Sequence, residues 1–433
     1  MPLALRLLLA MLVGAVLGGF VNWACYRLAW NRRSFTPWGP KPEGAEPRSA
    51  ADRIPILGWW RLRREESLSG KGFWIRPMLV EVLMAVGVAA LYWWEIDRLG
   101  LIRGQWPALP QGVVPPANVL ATFIGHVLLL TLMAAASLID IDERLIPDEI
   151  TTPGTLLGLT LAMLMPNSLL PDVSPRLPAN ALGPQLEAPV GDQAGRYLER
   201  TTLVAPLPLA DDLYGDLGLK IGLACWIIWN LSVAHWIWYG RRRASLAFRV
   251  VCRQLVRYYR RPLPSVLLLA GLAAIVAVHR VGGTAWAGLL TALVGMIGSG
   301  AVVWVVRVVA SSALGKEAMG FGDVTLMMMV GTFIGWQAGV VVFFLAPFAA
   351  LIVGVLQLII QRDDAIPYGP FLCLGVGFVV VRWADVWLSV QVFFAVWWLV
   401  PLVLAITFPV LGLMLLVWRG IKSLRGPDGE PEA

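Results

Sequence analysis

The chain has 433 residues, 58% of them hydrophobic and only 15% charged, whereas soluble chains run near half apolar and a quarter charged. That balance excludes an ordinary soluble domain and reads as an all-α, polytopic membrane protein. The 35 Lys and Arg against 28 Asp and Glu are gathered in a few loops without interleaved stacking aromatics, which marks membrane topology and argues against nucleic acid as a partner.

A helix needs about twenty mostly apolar residues to cross a bilayer. The first such run is 3–29, too long for a cleaved signal and read as retained; its Gly14, Gly18 and Gly19 predict close packing on another helix. The stretch 32–76 is basic and carries Pro37, Pro40, Pro42 and Pro47, so it is a cytoplasmic loop. Runs at 78–96 and 119–139 then lead out and back, and a shorter one at 150–166 leads out again behind Pro147 and Asp148, read as helix-start residues with Asp148 as an N-cap. Residues 167–216 read as an extracytoplasmic insert rich in Pro and acids.

A run at 217–239 returns to the inside and delivers Arg241, Arg242, Arg243, Arg249, Arg253, Arg257, Arg260 and Arg261 with no intervening acid. Phe248, Val251, Cys252, Leu255, Tyr258 and Tyr259 recur at helical spacing opposite several of these arginines, which predicts a helix lying on the inner leaflet, with membrane lipids as its partner. Spans follow at 265–278 and 285–309, then a short helix at 324–335, a turn at Trp336-Gln337 and a return to about 360. A segment near 366–372 opens a further span, and a last run at 392–417 puts a basic tail inside, for about ten or eleven crossings.

Cys25, Cys225, Cys252 and Cys373 are scattered, so neither a disulfide framework nor a metal site is expected. His126, His235 and His279 lack metal spacing and read as packed or solvent-edge side chains.

Two acidic elements carry the chemistry. One is Met319-Gly320-Phe321-Gly322-Asp323, at the mouth of an apolar helix; the other runs from Asp140 to Pro147-Asp148 at the end of an earlier one. Four spans separate Asp140 from Asp323, an even number, so both acids emerge on the basic, cytoplasmic face. Together the elements resemble the type IV prepilin peptidases, membrane aspartic proteases whose two motifs are D-x6-P-D and G-x-G-D. Matches at Gly18-Gly19-Phe20-Val21-Asn22, at Arg53-Ile54-Pro55-Ile56-Leu57-Gly58-Trp59, at Arg76-Pro77 with Glu81, and at Ile366-Pro367-Tyr368-Gly369-Pro370 add to the resemblance.

The resemblance implies an aspartic endopeptidase of a bacterial inner membrane, C-terminus cytoplasmic, with Asp140 and Asp323 catalytic, Pro147, Asp148, Gly320 and Gly322 supporting, and prepilins or pseudopilins of type IV pili or type II secretion as substrates. It divides the chain into an N-terminal region 1–116, a peptidase membrane domain 117–390 with insert 167–216 and basic loop 240–263, and an extra helix and tail 391–433. The family's paired C-x-x-C motifs are missing from the N-terminal loop, so no zinc is expected there and none for peptidase action. The S-adenosylmethionine-dependent methylation associated with that loop in bifunctional members stays open. Thr325 stands where the family commonly has Lys, which keeps a pilin-binding homologue without proteolysis as an alternative; an ion-coupled transporter is another.

Peptide hydrolysis by two carboxylates needs one ionised and one protonated. Helix ends alone predict the charge on Asp323, at a helix N-terminus, and the proton on Asp140, at a helix C-terminus. Asp142 and Glu143 read as solvated charges.

Overall fold

The computed structural model describes residues 2–29, 43–102, 117–171, 211–234, 244–360, 367–396 and 398–424. Within them lie thirteen main helices: α1 Leu3–Arg27, α2 Leu57–Leu62, α3 Ile75–Tyr92, α4 Ala117–Glu143, α5 Asp148–Leu164, α6 Asp216–Val233, α7 Ala244–Tyr259, α8 Pro262–Val281, α9 Gly283–Leu314, α10 Phe321–Ile360, α11 Gly369–Val381, α12 Trp383–Ala395 and α13 Leu399–Leu424. There is no strand among the described residues. Most of the predicted insert (172–210), the arginines at 241–243, His235, Ile366 and the end of the tail fall outside them.

Among the described residues, eight helices are long and apolar enough to cross a membrane, or nine if α11 and α12, bent by 97° at Arg382, count as one broken span. The larger number expected from sequence also counted α5, which has 17 residues and a length of about 25 Å, and both halves of α10. The last predicted run, 392–417, is divided: its first residues end α12, and the final span starts at Leu399.

Helix α10 is two helices. Gly335 has φ 77° and ψ 172°, outside the helical region and open to glycine with little strain. Before it, the chain runs antiparallel to α9, with Met328 against Gly300 and Gly331 against Gly295; beyond it, Trp336 lies against Gly298 and Gly339 against Ser299. Gly331 and Gly339 both abut the Ser299 hydroxyl, although eight residues of straight helix would separate them by about 12 Å. The chain therefore reverses at Gly335, one residue before the turn predicted at Trp336-Gln337.

Small residues set these distances. A Cβ on Gly295 would meet the backbone of Gly331 and Gly335, one on Gly158 the side chains of Thr332 and Phe333, and one on Gly154 that of Met329, so α9 packs on α10 backbone to backbone and α5 backbone to side chain. Without a hydrophobic force between helices in lipid, such contact area is what holds them together. Gly14 and Gly18 likewise seat α1 on Met84, Ala85 and Glu81 of α3, as their spacing predicts. Buried tryptophans tie the elements further: Trp226 donates to the Leu268 carbonyl at 3.0 Å, Trp286 to Leu213 at 2.9 Å and Trp383 to Pro171 at 2.7 Å, each satisfying an indole N–H that hydrocarbon would leave bare.

The loop between α1 and α3 folds on ion pairs and one tryptophan. Asp52 accepts from Arg61 Nε and Arg64 Nη2, both at 2.8 Å, and from the Ser49 backbone at 2.7 Å; Arg48 grips Glu65 with two hydrogen bonds, at 3.0 and 2.8 Å. Trp59, 2% exposed, packs with Tyr26 and Leu62 and donates to Glu81 Oε1 at 2.8 Å, which also accepts from Asn22 at 3.0 Å. No group of three or more potential metal ligands occurs among the described residues. Burial alone would raise the Asp52 carboxyl, but the two guanidinium bonds outweigh it and hold the group well below its ordinary 3.8.

Two outcomes follow from this packing. Gly295→Val should destabilise the fold by about 1–3 kcal/mol through overpacking, while Gly87→Val, where a Cβ meets nothing within 4 Å, should leave the melting temperature of the purified protein unchanged. The depressed Asp52 group contributes stability that is fully present above its unfolded value of 3.8 and is lost as the pH falls below it. Trp59 fluorescence, read with the other tryptophans replaced by Phe where tolerated, should therefore report local unfolding of the loop on acidification, and Asp52→Asn should loosen the loop at pH 7 and flatten that dependence.

Candidate active site

The site forms where three helix ends meet. The end of α4 carries Asp140, 4% exposed, and the start of α10 carries Asp323, 8% exposed. The two carboxyls lie within Coulombic reach of one another, and the Cys373 thiol, one turn into α11, lies within reach of both. The structure thus brings the two acids singled out in the sequence close to one another.

Each acid is placed by its local sequence. After α4, Arg144 takes a positive φ of 54°, which turns the chain so that Ile146, 7% exposed, points back into the site. Ile146 then wedges between two glycines: a Cβ on Gly322 would come to 3.0 Å of its side chain, and one on Gly369 to 3.1 Å. This is the physical requirement behind the second glycine of the Gly320-Phe321-Gly322-Asp323 element. A Cβ on Gly320 meets only the Gly322 backbone nitrogen, at 3.9 Å, so the first glycine is not held by packing.

The turn ahead of Asp323 is fixed by α9. Gly315 ends that helix in the left-handed region, φ 69°. Arg307 donates to the Met319 carbonyl at 3.0 Å and to Glu317 at 2.6 Å, with its guanidinium 5.7 Å from the Phe321 ring centroid. Thr325 donates to the Gly322 carbonyl at 3.0 Å and is 4% exposed, so its hydroxyl serves its own helix.

The remaining acids of the first motif stand apart. Asp142 is exposed and pairs with Arg76 at 2.8 Å, tying the end of α4 to the start of α3. Pro147 takes the N-cap position of α5 and Asp148 is its first residue, one place from the predicted cap. His126 is packed, fully buried, 2.7 Å from Glu95.

The third wall was not foreseen as part of the site. Tyr368 and Gly369 open α11; a Cβ on Gly369 would overlap Asp140 Oδ2, and Tyr368 lies within Coulombic reach of Asp323. The segment 366–372 was legible as a motif, yet nothing in its composition tells which helix end it will face. Arg307 was equally hidden, as one charge inside a long apolar run.

Residues 258–355 match the type IV leader peptidase family. Curated relatives named prepilin leader peptidase/N-methyltransferase include one from Pseudomonas putida, 29% identical over 143 residues, covering 32% of this chain and 49% of the relative. Another from Stutzerimonas stutzeri is 33% identical over 97 residues, covering 22% and 32%, and one from Pseudomonas aeruginosa is 27% identical over 166 residues, covering 38% and 55%. The chain thus spans about half or less of the length of these relatives, and no solved structure matches it. The family match contains Asp323 but not Asp140, whose place in the site rests on the geometry above. The resemblance expected from the two motifs is thus borne out by this matched segment and by these relatives.

Proposed function

We propose that this chain is a membrane-embedded aspartic endopeptidase that removes the basic leader from prepilins or pseudopilins at the cytoplasmic surface of a bacterial inner membrane. The observation that carries this reading is the convergence of Asp140 and Asp323, from helices far apart in sequence, into one nearly buried pair at helix ends. One carboxylate takes a proton from water, which attacks the scissile carbonyl carbon; the other carboxyl gives its proton to the carbonyl oxygen. Collapse of the tetrahedral species breaks the C–N bond, with a proton delivered to the leaving amine. Two like charges this close disfavour double ionisation, which keeps one proton on the pair at working pH.

A site at helix ends also suits the substrate class. A leader with Lys and Arg stays in water, while the apolar helix behind it lies in the bilayer and brings the junction to the interface; an acid at midplane would instead cost about 3 kcal/mol or more. Neither zinc nor another cofactor is assigned to hydrolysis, and methyl transfer from S-adenosylmethionine is not part of the proposal. The arginine face of α7, with Arg249, Arg253 and Arg257 exposed, is proposed to rest on anionic headgroups.

Asp140→Asn and Asp323→Asn, both close to isosteric, should each abolish cleavage of a prepilin by purified protein while expression and membrane insertion stay normal. Asp142→Asn and Asp148→Asn should keep measurable turnover. Full activity in either of the first two removes the aspartic mechanism, and a wild-type protein that binds prepilin without cutting it favours the non-proteolytic homologue. The sidedness is checked separately by labelling single cysteines in a background without the native four: probes at Ser137 and Ala318 should react only with reagents admitted to the cytoplasm, and labelling from opposite faces would end the peptidase reading.

A further inference from the structure

The last helix, α13, lies outside the matched segment 258–355, yet it ends beside the turn that carries Asp323. Gly412 approaches α9 closely, where a Cβ would come to 3.1 Å of the Val309 side chain. Two turns on, Arg419 reaches the end of α9 and its Nη1 donates to the Ala313 carbonyl at 3.2 Å. These contacts advance in the same direction along both helices, so α13 runs parallel to α9. The Ala313 carbonyl is among the last four of its helix, which have no partner within it, and a cation there also meets the negative end of the dipole.

The same guanidinium lies on Gly315. A Cβ at that residue would stand 2.9 Å from Nη1 and 3.2 Å from both Cζ and Nη2 of Arg419. Glycine is therefore required here by the left-handed φ of 69° and again by the arginine against it. Beyond Gly315 the chain is held from α9: the Ala318 amide donates to the Ser311 hydroxyl at 3.1 Å, and Arg307 donates to Met319 and Glu317. Arg419 adds a contact from a different helix at the point where the chain leaves α9.

Resting on the proposed aspartic mechanism, we infer that α13 braces the turn ahead of Asp323 and that Arg419 is a positioning residue acting through Gly315. Apolar contact between helices sets their distance, but it does not fix where a helix ends. A guanidinium bonded to a terminal carbonyl and laid against the next glycine does fix that point. Everything from there to Asp323 starts from it, so a freed exit displaces the carboxyl from its partner. Misplacing a catalytic group slows the chemical step and leaves distant substrate contacts intact.

Hydrogen exchange and cleavage kinetics on the full chain in detergent test this together. Arg419→Ala should speed exchange at the Gly315 and Ala318 amides, both hydrogen-bonded to Ser311, by about fivefold. It should lower kcat for prepilin cleavage by at least about fivefold while KM holds. Leu413→Ala, on the same helix and 62% exposed, should move neither quantity. Unchanged exchange in Arg419→Ala removes the brace, and faster exchange with unchanged kcat removes the positioning role. Equal effects from Leu413→Ala would mean a general loosening of α13 and overturn the inference. Should the wild type fail to cleave prepilin, the peptidase reading falls, and the exchange rates alone still decide whether Arg419 holds the turn.

Discussion

Two carboxylates brought together out of water repel one another and resist losing their hydration, and every neighbouring element in this protein answers that cost. The pair sits at the ends of α4 and α10, with the start of α11 alongside. At helix ends the backbone itself supplies unsatisfied N–H groups and dipoles, which mid-helix positions in hydrocarbon cannot. The glycines at 322 and 369 let the three ends approach to the distance at which those groups matter. Arg307, anchored in α9, fixes the turn before Asp323 from the side.

Behind the site, the scaffold is held by contact area more than by charge. The Gly295, Gly331 and Gly339 surfaces around Ser299 and the glycines of α5 bring backbones close, which is the form of attraction open to helices in lipid. The reversal at Gly335 makes the first half of α10 short, so Asp323 is carried at the start of a helix of about four turns. The N-terminal loop is held differently, by charge: its centre is Asp52 between two arginines and Trp59 on Glu81.

Much of this was legible beforehand for physical reasons. Apolar runs of membrane length announce spans, arginine clusters announce sides, and Asp140 and Asp323 stood out because acids are rare in such surroundings. Even the reversal near residue 335 could be read, since Gly335 and the polar Gln337 interrupt an apolar run. What stayed hidden depends on which helix ends meet. Gly369 is one glycine among 43, and only its juxtaposition with Asp140 gives it meaning. Ser299, Arg307 and the ion pairs of the loop were invisible for the same reason: their partners are distant in sequence, and periodicity carries no information on who faces whom. The break at Arg382 and the end of α12 at Ala395, inside the last predicted run, were missed because an apolar pattern continues through both.

Ile146 touches the glycine beside each acid, so the separation of the pair is set by the bulk of one aliphatic side chain. A spacer of that kind has no counter-ions to exchange. Added salt screens charges in water over about 10 Å at 0.1 M, and it would weaken the approach of the basic leader proposed as the substrate. It has no purchase on a hydrocarbon wedge. The architecture therefore separates two responses to ionic strength: recruitment of a charged partner varies with the medium, while the internal gauge between Asp140 and Asp323 stays constant.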